Sequence, residues 1–277
     1  MSDQNSKPND FRDDDMLNRV HTAGAVSIPP HLFEQLYLSP KNAVDGRLRQ
    51  TFGNPTPIAL GGFLLCTTPL SMILLEWQGA GGFGGAANVG SYFFIGGLFL
   101  TLGGIGEWIL GNTFPATIFC MFGGFWLTFG ATIVPGFGAY GTYSPSTAAA
   151  QGLDEPQFYA TFSFFLVAMT ILCAIFTVAS IRTNVVFFAI LLLLVPTFSC
   201  LAASFFAVSQ GSMETALRFQ YVGAGLLLAV SFLGWYTFLA LILLAVEFPF
   251  SLPVGDLSTV IKKGKCPAVE EEDMGRV

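Results

Sequence analysis

The sequence predicts an all-α integral membrane protein with six transmembrane helices. The first observation is composition: of 277 residues, 53% are hydrophobic and only 11% are charged, and the mean hydropathy is +0.63. A soluble domain carries about 25% charged residues. The second observation is that the charges crowd into residues 1–50 and 247–277 and leave the stretch between them nearly neutral. This separation is typical of a chain that crosses a lipid bilayer several times.

Six apolar runs divide the neutral stretch. Each reaches the roughly 20 residues that span about 30 Å of hydrocarbon at about 1.5 Å per residue. They occupy about 54–75, 92–110, 114–134, 158–181, 185–208 and 219–246. Because most connections are short, neighbouring helices are predicted to be antiparallel. The longer connection, residues 135–157, is interpreted as a plain surface loop, and the alternative is a loop that folds back over the mouth of a pore.

Positively charged residues near the ends of the runs predict the orientation, because such residues stay on the cytoplasmic side of a membrane. One side carries Arg218 alone, and the other side carries the rest, so both termini are predicted to be cytoplasmic. We expect a largely disordered N-terminal tail at 1–50, a transmembrane domain at 51–250 and a C-terminal tail at 251–277. The residues on the cytoplasmic side are Lys41, Arg47, Arg49, Arg182, Lys262, Lys263 and Lys265.

Composition also limits the function classes. The net charge of −6, with acidic runs in both tails, argues against nucleic acid as a partner. Both histidines, His21 and His31, precede the first run, and four of the five cysteines lie inside apolar runs, where cysteine packs as a small hydrophobic residue. The motifs GxxxxGK[S/T], GxSxG and HExxH do not occur in the sequence. We therefore expect no metal, no cofactor and no enzymatic activity.

The second run combines regularly spaced glycines with one acidic residue. Gly90, Gly97, Gly104 and Gly111 recur every seven residues and predict a smooth face against which another helix packs closely. Glu107 lies between the last two of these glycines and therefore on the same face. An acidic side chain inside a span costs about 2.5–3.5 kcal/mol on insertion scales. Two interpretations stay open: Glu107 belongs to a transport pathway, or it pairs with a neighbouring helix.

The first run begins as a turn, in the stretch "FGNPTPIALGGF". Pro55 and Pro57 occupy positions where the N–H groups of a helix have no partner, and Asn54 can cap those groups. The helix start then presents a positive end to which a carboxylate can bind. Pro69 and Pro196 interrupt the first and fifth runs, and interrupted helices are typical of substrate sites in transporters.

These motifs resemble those of a known family. "NPTPIALGGF" resembles the NPAPLGLxGF signature of the acetate uptake transporter family, also called the Gpr1/Fun34/YaaH or succinate–acetate family. The resemblance continues through "GGIGEWILGNTFPATIFCMFGGFWLTFG" and "IRTNVVFFAILLLL" and covers about residues 50–250. The acidic N-terminal tail is similar to that of the fungal members.

The resemblance implies a six-helix protomer with its own pore, assembled into hexamers, through which acetate and other small carboxylic acids pass. It places a narrow apolar constriction at Phe63, Phe122 and Leu191 and the acid of the second helix at Glu107. Phe122 replaces the tyrosine of bacterial members, which makes the constriction more apolar. The pore and substrate-binding residues predicted with it are Asn54, Pro55, Thr56, Pro57, Leu60, Thr67 and Thr68.

The predicted function is uptake of acetate and similar short-chain monocarboxylates across the plasma membrane, with an internal membrane such as the vacuole as the alternative. Transport is expected to be coupled to protons or channel-like. Two other functions stay open: export of ammonia or ammonium, and a non-transporting membrane sensor or scaffold. Five hydroxyls could bond the carboxyl group, or each could bond back to a helix carbonyl. They belong to Thr67, Thr68, Ser71, Thr197 and Ser199.

Overall fold

The computed structural model describes residues 52–255 and 257, so the predictions for the two tails fall largely outside the described residues. Within these residues, six helices are long and apolar enough to cross a membrane. This confirms the predicted all-α membrane fold. The helices are α1 (Thr56–Leu74), α2 (Phe83–Ile109), α3 (Thr113–Ile133), α4 (Pro156–Ser180), α5 (Val185–Ser209) and α6 (Met213–Ala245).

Two helices begin earlier than hydropathy predicted. The second span starts with a 3₁₀ segment at Phe83–Asn88 and continues through a π-helical segment at Tyr92–Gly97 before the regular helix Leu98–Ile109. The sixth helix starts at Met213. Glu214 and Arg218, one helical turn apart near this start, form an exposed ion pair. Hydropathy marks the apolar body of a helix, whereas backbone hydrogen bonds extend it past that body.

The helices alternate in direction, so the bundle has two ends. The end at which α1, α3 and α5 begin is called the basal end, and the opposite end is called the apical end. Helices contact in the order α4–α5–α6–α1–α2–α3, and aromatic side chains of α3 and α4 meet as well. On the predicted orientation the basal end faces the cytoplasm.

Glycines set the close approach of α1, α2 and α3. A Cβ added at Gly103 would lie 2.5 Å from the Cβ of Ala59 on α1, and one at Gly104 would lie 2.5 Å from the Sγ of Cys120 on α3. The predicted close packing is thus confirmed within the protomer. The predicted seven-residue face is wrong at both its ends. A Cβ added at Gly90 would have no atom of the described residues within 4 Å, and Gly111 lies beyond α2 in a turn with φ of +80°. The π-helical segment changes the helical period between Gly90 and the later glycines.

The apical end is closed by aromatic side chains. Tyr140, from the loop 135–157, is 7% exposed and packs edge-on against Phe83 and Phe158. Phe162 of α4 and Phe129 of α3 continue the contacts inward. These five side chains form the apical aromatic cluster. The interpretation of residues 135–157 as a plain surface loop is therefore wrong around Tyr140, because that ring folds back onto the bundle.

The chain that follows α6 lies across the basal end. The backbone N–H of Val185 donates to the carbonyl of Gly255 (3.0 Å), and that of Leu257 donates to the carbonyl of Thr183 (2.9 Å). Val254 is buried against Ala240 and Leu241 of α6. This segment therefore ties the end of α6 to the start of α5.

Candidate functional site

A cavity occupies the basal half of the bundle. The centre of a water molecule can occupy about 50 Å³ within it. Every helix except α4 contributes to its wall, and the wall is apolar except for Thr56, Asn184 and Thr237. The lining residues are Thr56, Leu60, Phe63, Leu100, Ile118, Phe119, Phe122, Asn184, Phe187, Ile190, Leu191, Leu194, Thr237 and Leu241.

The structure places Phe63, Phe122 and Leu191 on the wall of this cavity. Phe63 and Leu191 lie seven residues beyond Thr56 and Asn184, which corresponds to about 10 Å along a helix. The Phe63 and Phe122 rings meet edge-to-face with centroids 6.1 Å apart. The three side chains are 7%, 4% and 1% exposed. The three residues predicted to form a constriction therefore line the same cavity, and the constriction itself stays a prediction.

Thr56 and Leu60 line the cavity, whereas Asn54, Pro55 and Pro57 do not. The Oδ1 of Asn54 accepts a hydrogen bond from the N–H of Thr56 (2.9 Å), so the predicted cap on the first N–H of α1 is present. Pro55 packs against α2, because a Cβ at Gly106 would lie 2.7 Å from the Cβ of Pro55. The Asn-Pro turn therefore acts on the cavity by fixing the position of Thr56.

Glu107 is completely buried behind Thr56. Its carboxylate accepts hydrogen bonds from the Oγ1 of Thr56 and from the Nδ2 of Asn112, the latter at 2.6 Å. Asn112 precedes α3, and its own N–H donates to the carbonyl of Glu107 (2.8 Å). The carboxylate thus connects the start of α1, the end of α2 and the start of α3. Thr56 separates this carboxylate from the cavity.

The hydroxyls that sequence reasoning proposed for the carboxyl group lie off the cavity wall. Thr67 donates to the carbonyl of Phe63 (2.6 Å), and Thr68 accepts a hydrogen bond from the indole of Trp235 (3.0 Å). The others donate to helix carbonyls, which agrees with the alternative interpretation. These are Ser71 to Thr68 (2.7 Å), Thr197 to Leu193 (2.8 Å) and Ser199 to Val195 (2.9 Å). A substrate contact of Thr67 or Thr68 stays a prediction.

Sequence reasoning missed two polar residues of the wall, Asn184 and Thr237. Asn184 is the N-cap of α5: its Oδ1 accepts from the N–H of Phe187 (2.8 Å), and the residue is 2% exposed. An asparagine directly before the apolar run "VVFFAILLLL" is a typical N-cap pattern and could have been recognised. Thr237 donates to the carbonyl of Leu233 (3.0 Å), and nothing in the local sequence separates it from other threonines of the spans.

The comparison with known families decides the identity of this arrangement. The model of the GPR1/FUN34/yaaH family matches residues 38–259. The chain belongs to this family. The match includes all six helices and the whole cavity, so the resemblance of the Asn-Pro signature is confirmed at the level of the full transmembrane domain.

Curated relatives and a solved structure agree with this membership. The chain is 40% identical over 235 residues to protein alcS of Aspergillus fumigatus, which covers 84% of this chain and 86% of the relative. It is 32% identical over 206 residues to the acetate transporter protein patA of Aspergillus clavatus, and the match covers 74% of this chain and 79% of the relative. The structure of the bacterial acetate channel SatP superposes with a TM-score of 0.55 at 19% identity and covers 74% of this chain and 99% of SatP. This last likeness shows the fold.

Proposed function

We propose that this member of the GPR1/FUN34/yaaH family transports acetate and other short-chain monocarboxylates across a membrane, through the basal cavity. One observation carries the proposal: a cavity with apolar walls and three polar residues is lined by Phe63, Phe122 and Leu191, the residues of the predicted constriction. The family membership and the name of the patA relative support the same substrate class. Both also favour a transporter over an enzyme.

The polar groups of the cavity suit a carboxylate. Thr56 is the first residue of α1 and Asn184 directly precedes α5, so two helix N-termini adjoin the cavity. The N-terminus of a helix carries partial positive charge, which favours an anion. The methyl group of acetate can pack against the phenylalanine and leucine side chains farther in. The hydroxyls of Thr56 and Thr237 already donate inside the protein, so toward the cavity they offer acceptor lone pairs, which suit the O–H of a protonated acid and would also accept from ammonium. The two helix N-termini are what favours the acid over ammonium.

The apolar constriction favours passage of a neutral or protonated acid, because a bare carboxylate in a low-dielectric site is costly. We therefore propose that protons accompany the acid. Glu107 holds Thr56 at the cavity wall, and we propose that it supports transport by keeping the mouth of the cavity in this shape.

We further propose a plasma-membrane location with both termini in the cytoplasm, and assembly into a homo-oligomer, a hexamer by the family resemblance. Exposed apolar side chains run along the outer face of α4, and such a face packs either against lipid or against a neighbouring protomer. They include Phe164, Val167, Ile171, Ile175 and Val178, exposed by 67%, 37%, 58%, 60% and 71%.

The experiment is uptake of labelled acetate in a cell that lacks its own carrier, with ammonia release measured in the same cultures. We expect saturable acetate uptake that exceeds the empty-vector control and increases as the external pH falls. Ammonia release without acetate uptake would establish the export alternative. Neither activity, in a protein that reaches the membrane, would favour the sensor or scaffold and contradict the proposal.

A further inference from the structure

One buried donor in the middle of the bundle has no hydrogen-bond acceptor. Among the described residues, two buried side-chain polar atoms lack a partner: the Nε1 of Trp126 and the Nε of Arg182. Arg182 lies in the turn at the basal end and is partly exposed. Trp126 is 1% exposed and lies within α3. Its N–H is therefore the more unusual of the two, because buried polar groups are normally paired.

Trp126 lies one helical turn past Phe122, outside the wall of the basal cavity. It follows Phe122 by four residues on α3, one helical turn or about 6 Å toward the apical end. Its pyrrole ring rests on α2, since a Cβ at Gly96 would lie 2.8 Å from its Cγ, and the Sγ of Cys66 lies against the same spot. Cys66 follows Phe63 by three residues on α1. The indole thus belongs to the next layer of the bundle after the Phe63–Phe122 pair.

The neighbours of the indole do not satisfy its N–H. Tyr92 stacks on the indole face with centroids 5.0 Å apart and an interplanar angle of 27°, so it covers the face and not the N–H edge. Phe125 and Phe129 offer π faces, which are weak acceptors at best. The thiol of Cys66 already donates to the carbonyl of Ser91 (3.3 Å).

Packing alone does not explain a tryptophan here. A phenylalanine would fill much of the same space without burying an unpaired donor, and Phe125 and Phe129 show that this part of α3 accommodates phenylalanine. An unpaired buried N–H destabilises the protein unless an acceptor reaches it in some state. The group that passes this layer in the proposed function carries carboxyl oxygens.

We propose that the indole N–H of Trp126 binds a carboxyl oxygen of the acid in transit, at a site on the apical side of the constriction. This inference rests on the proposed function and adds a second binding step to it. The acid leaves the polar groups at Thr56 and Asn184, crosses the Phe63–Phe122–Leu191 ring, and regains one hydrogen bond from Trp126. The site serves short-chain monocarboxylates as a class, because the N–H contacts the carboxyl group and not the alkyl chain.

The test compares three single variants. Trp126→Phe removes the N–H together with part of the ring, and Trp126→benzothienylalanine keeps the bicyclic shape but has sulfur in place of the N–H. Trp108→Phe is the matched control, since Trp108 is 70% exposed on the outer face of α2. We expect both changes at position 126 to raise the KM for acetate roughly tenfold, as for the loss of one hydrogen bond. The KM of the Trp108→Phe control should stay within about twofold of the wild-type KM, since substitutions at exposed positions usually have small effects.

Two further measurements separate hydrogen bonding from packing. The KM for propionate should rise by the same factor as that for acetate, and the thermal midpoint of the benzothienylalanine protein should not fall below that of the wild type. A wild-type KM in the benzothienylalanine variant would overturn the inference, as would a shift that differs between acetate and propionate. Failure of the wild-type protein to take up acetate would instead refute the proposed function.

Discussion

The basal and apical halves of the bundle are built from the same six helices but differ in what fills them. The basal half holds a cavity whose apolar wall carries Thr56, Asn184 and Thr237. The apical half is filled by the aromatic cluster, in which Phe83, Tyr140 and Phe158 meet with centroids 5.6–6.2 Å apart. In the described residues, the basal half therefore keeps a cavity where the apical half is packed with rings.

The two halves are also stabilised in different ways. Hydrogen bonds hold the basal helix ends, through Glu107, Asn112 and the cap at Asn184. At the apical end, ring contacts pack α3, α4 and the loop together, and each ring pair contributes about 0.5–1.5 kcal/mol beyond its burial. Hydrogen bonds from Gln220 to Leu74 and from Tyr221 to Glu76 join α6 to the end of α1 there. Aromatic contacts tolerate small displacements, whereas buried hydrogen bonds fail once a partner is removed. Substitutions in the two halves should therefore differ in how much they lower the free energy of unfolding and acetate uptake.

The largest effect on stability is expected at the centre of the apical aromatic cluster. Phe158 is 3% exposed and contacts Phe83, Tyr140 and Phe162. Phe158→Ala should lower the free energy of unfolding by about 3–5 kcal/mol, because it removes a large ring and leaves a cavity. Thermal unfolding of the purified protein in detergent would measure the loss. Phe94→Ala is the control, since Phe94 is 71% exposed, and an equal loss there would mean that the cluster does not close the apical end.

The basal half should be most sensitive at Glu107. Glu107→Ala leaves the buried hydroxyl of Thr56 and the amide of Asn112 without this acceptor, at a cost of about 2–4 kcal/mol. Glu107→Gln keeps the size of the side chain but has one acceptor oxygen for the two donors, Thr56 and Asn112, so one of these bonds is lost. The variant should therefore reach the membrane and yet lose most acetate uptake. Uptake would be normalised to the protein detected at the cell surface. Full uptake by a well-folded Gln variant would reduce Glu107 to a packing residue.

The inner end of the cavity should set substrate size. Leu191→Ala shortens a side chain of the predicted constriction without removing a polar group. The ratio of lactate to acetate uptake should then rise roughly tenfold, the scale on which hydrophobic pockets distinguish one small group. Because both rates come from one strain, expression level cancels. An unaltered ratio would place the selective step elsewhere, such as the apical aromatic cluster.

The smallest effects are expected at the mouth of the cavity. Asn184→Ala removes the N-cap of α5 and should lower the free energy of unfolding by about 1 kcal/mol. Asn184→Asp keeps the capping oxygen but places a negative charge at the wall, so it should preserve stability and raise the KM for acetate. Thermal unfolding and uptake kinetics on the same two proteins separate these roles. If Asp and Ala raise the KM equally, charge at this position does not act on the substrate.

A stretch of local sequence was enough to predict some parts of the site but not others. The Asn54 cap follows from three adjacent residues, and the structure contains it. Phe63, Phe122 and Leu191 were named from the family signature, and the structure places them on one cavity. Thr67 and Thr68 were named because they are polar, but a hydroxyl on a helix bonds equally well to its own backbone or to a neighbour, and periodicity does not tell which.

By itself the sequence determined the number of helices, their approximate bounds and the family, because hydropathy and signature motifs are properties of contiguous residues. Only the tertiary structure decided that Tyr140 closes the apical end, that Asn184 and Thr237 reach the cavity wall, and that the indole N–H of Trp126 has no partner. These facts depend on contacts between helices far apart in the chain. The π-helical segment at Tyr92–Gly97 was likewise visible only in the structure, because hydropathy does not depend on the helical period. The wider turn changes the direction of the side chains before it relative to those of Leu98–Ile109.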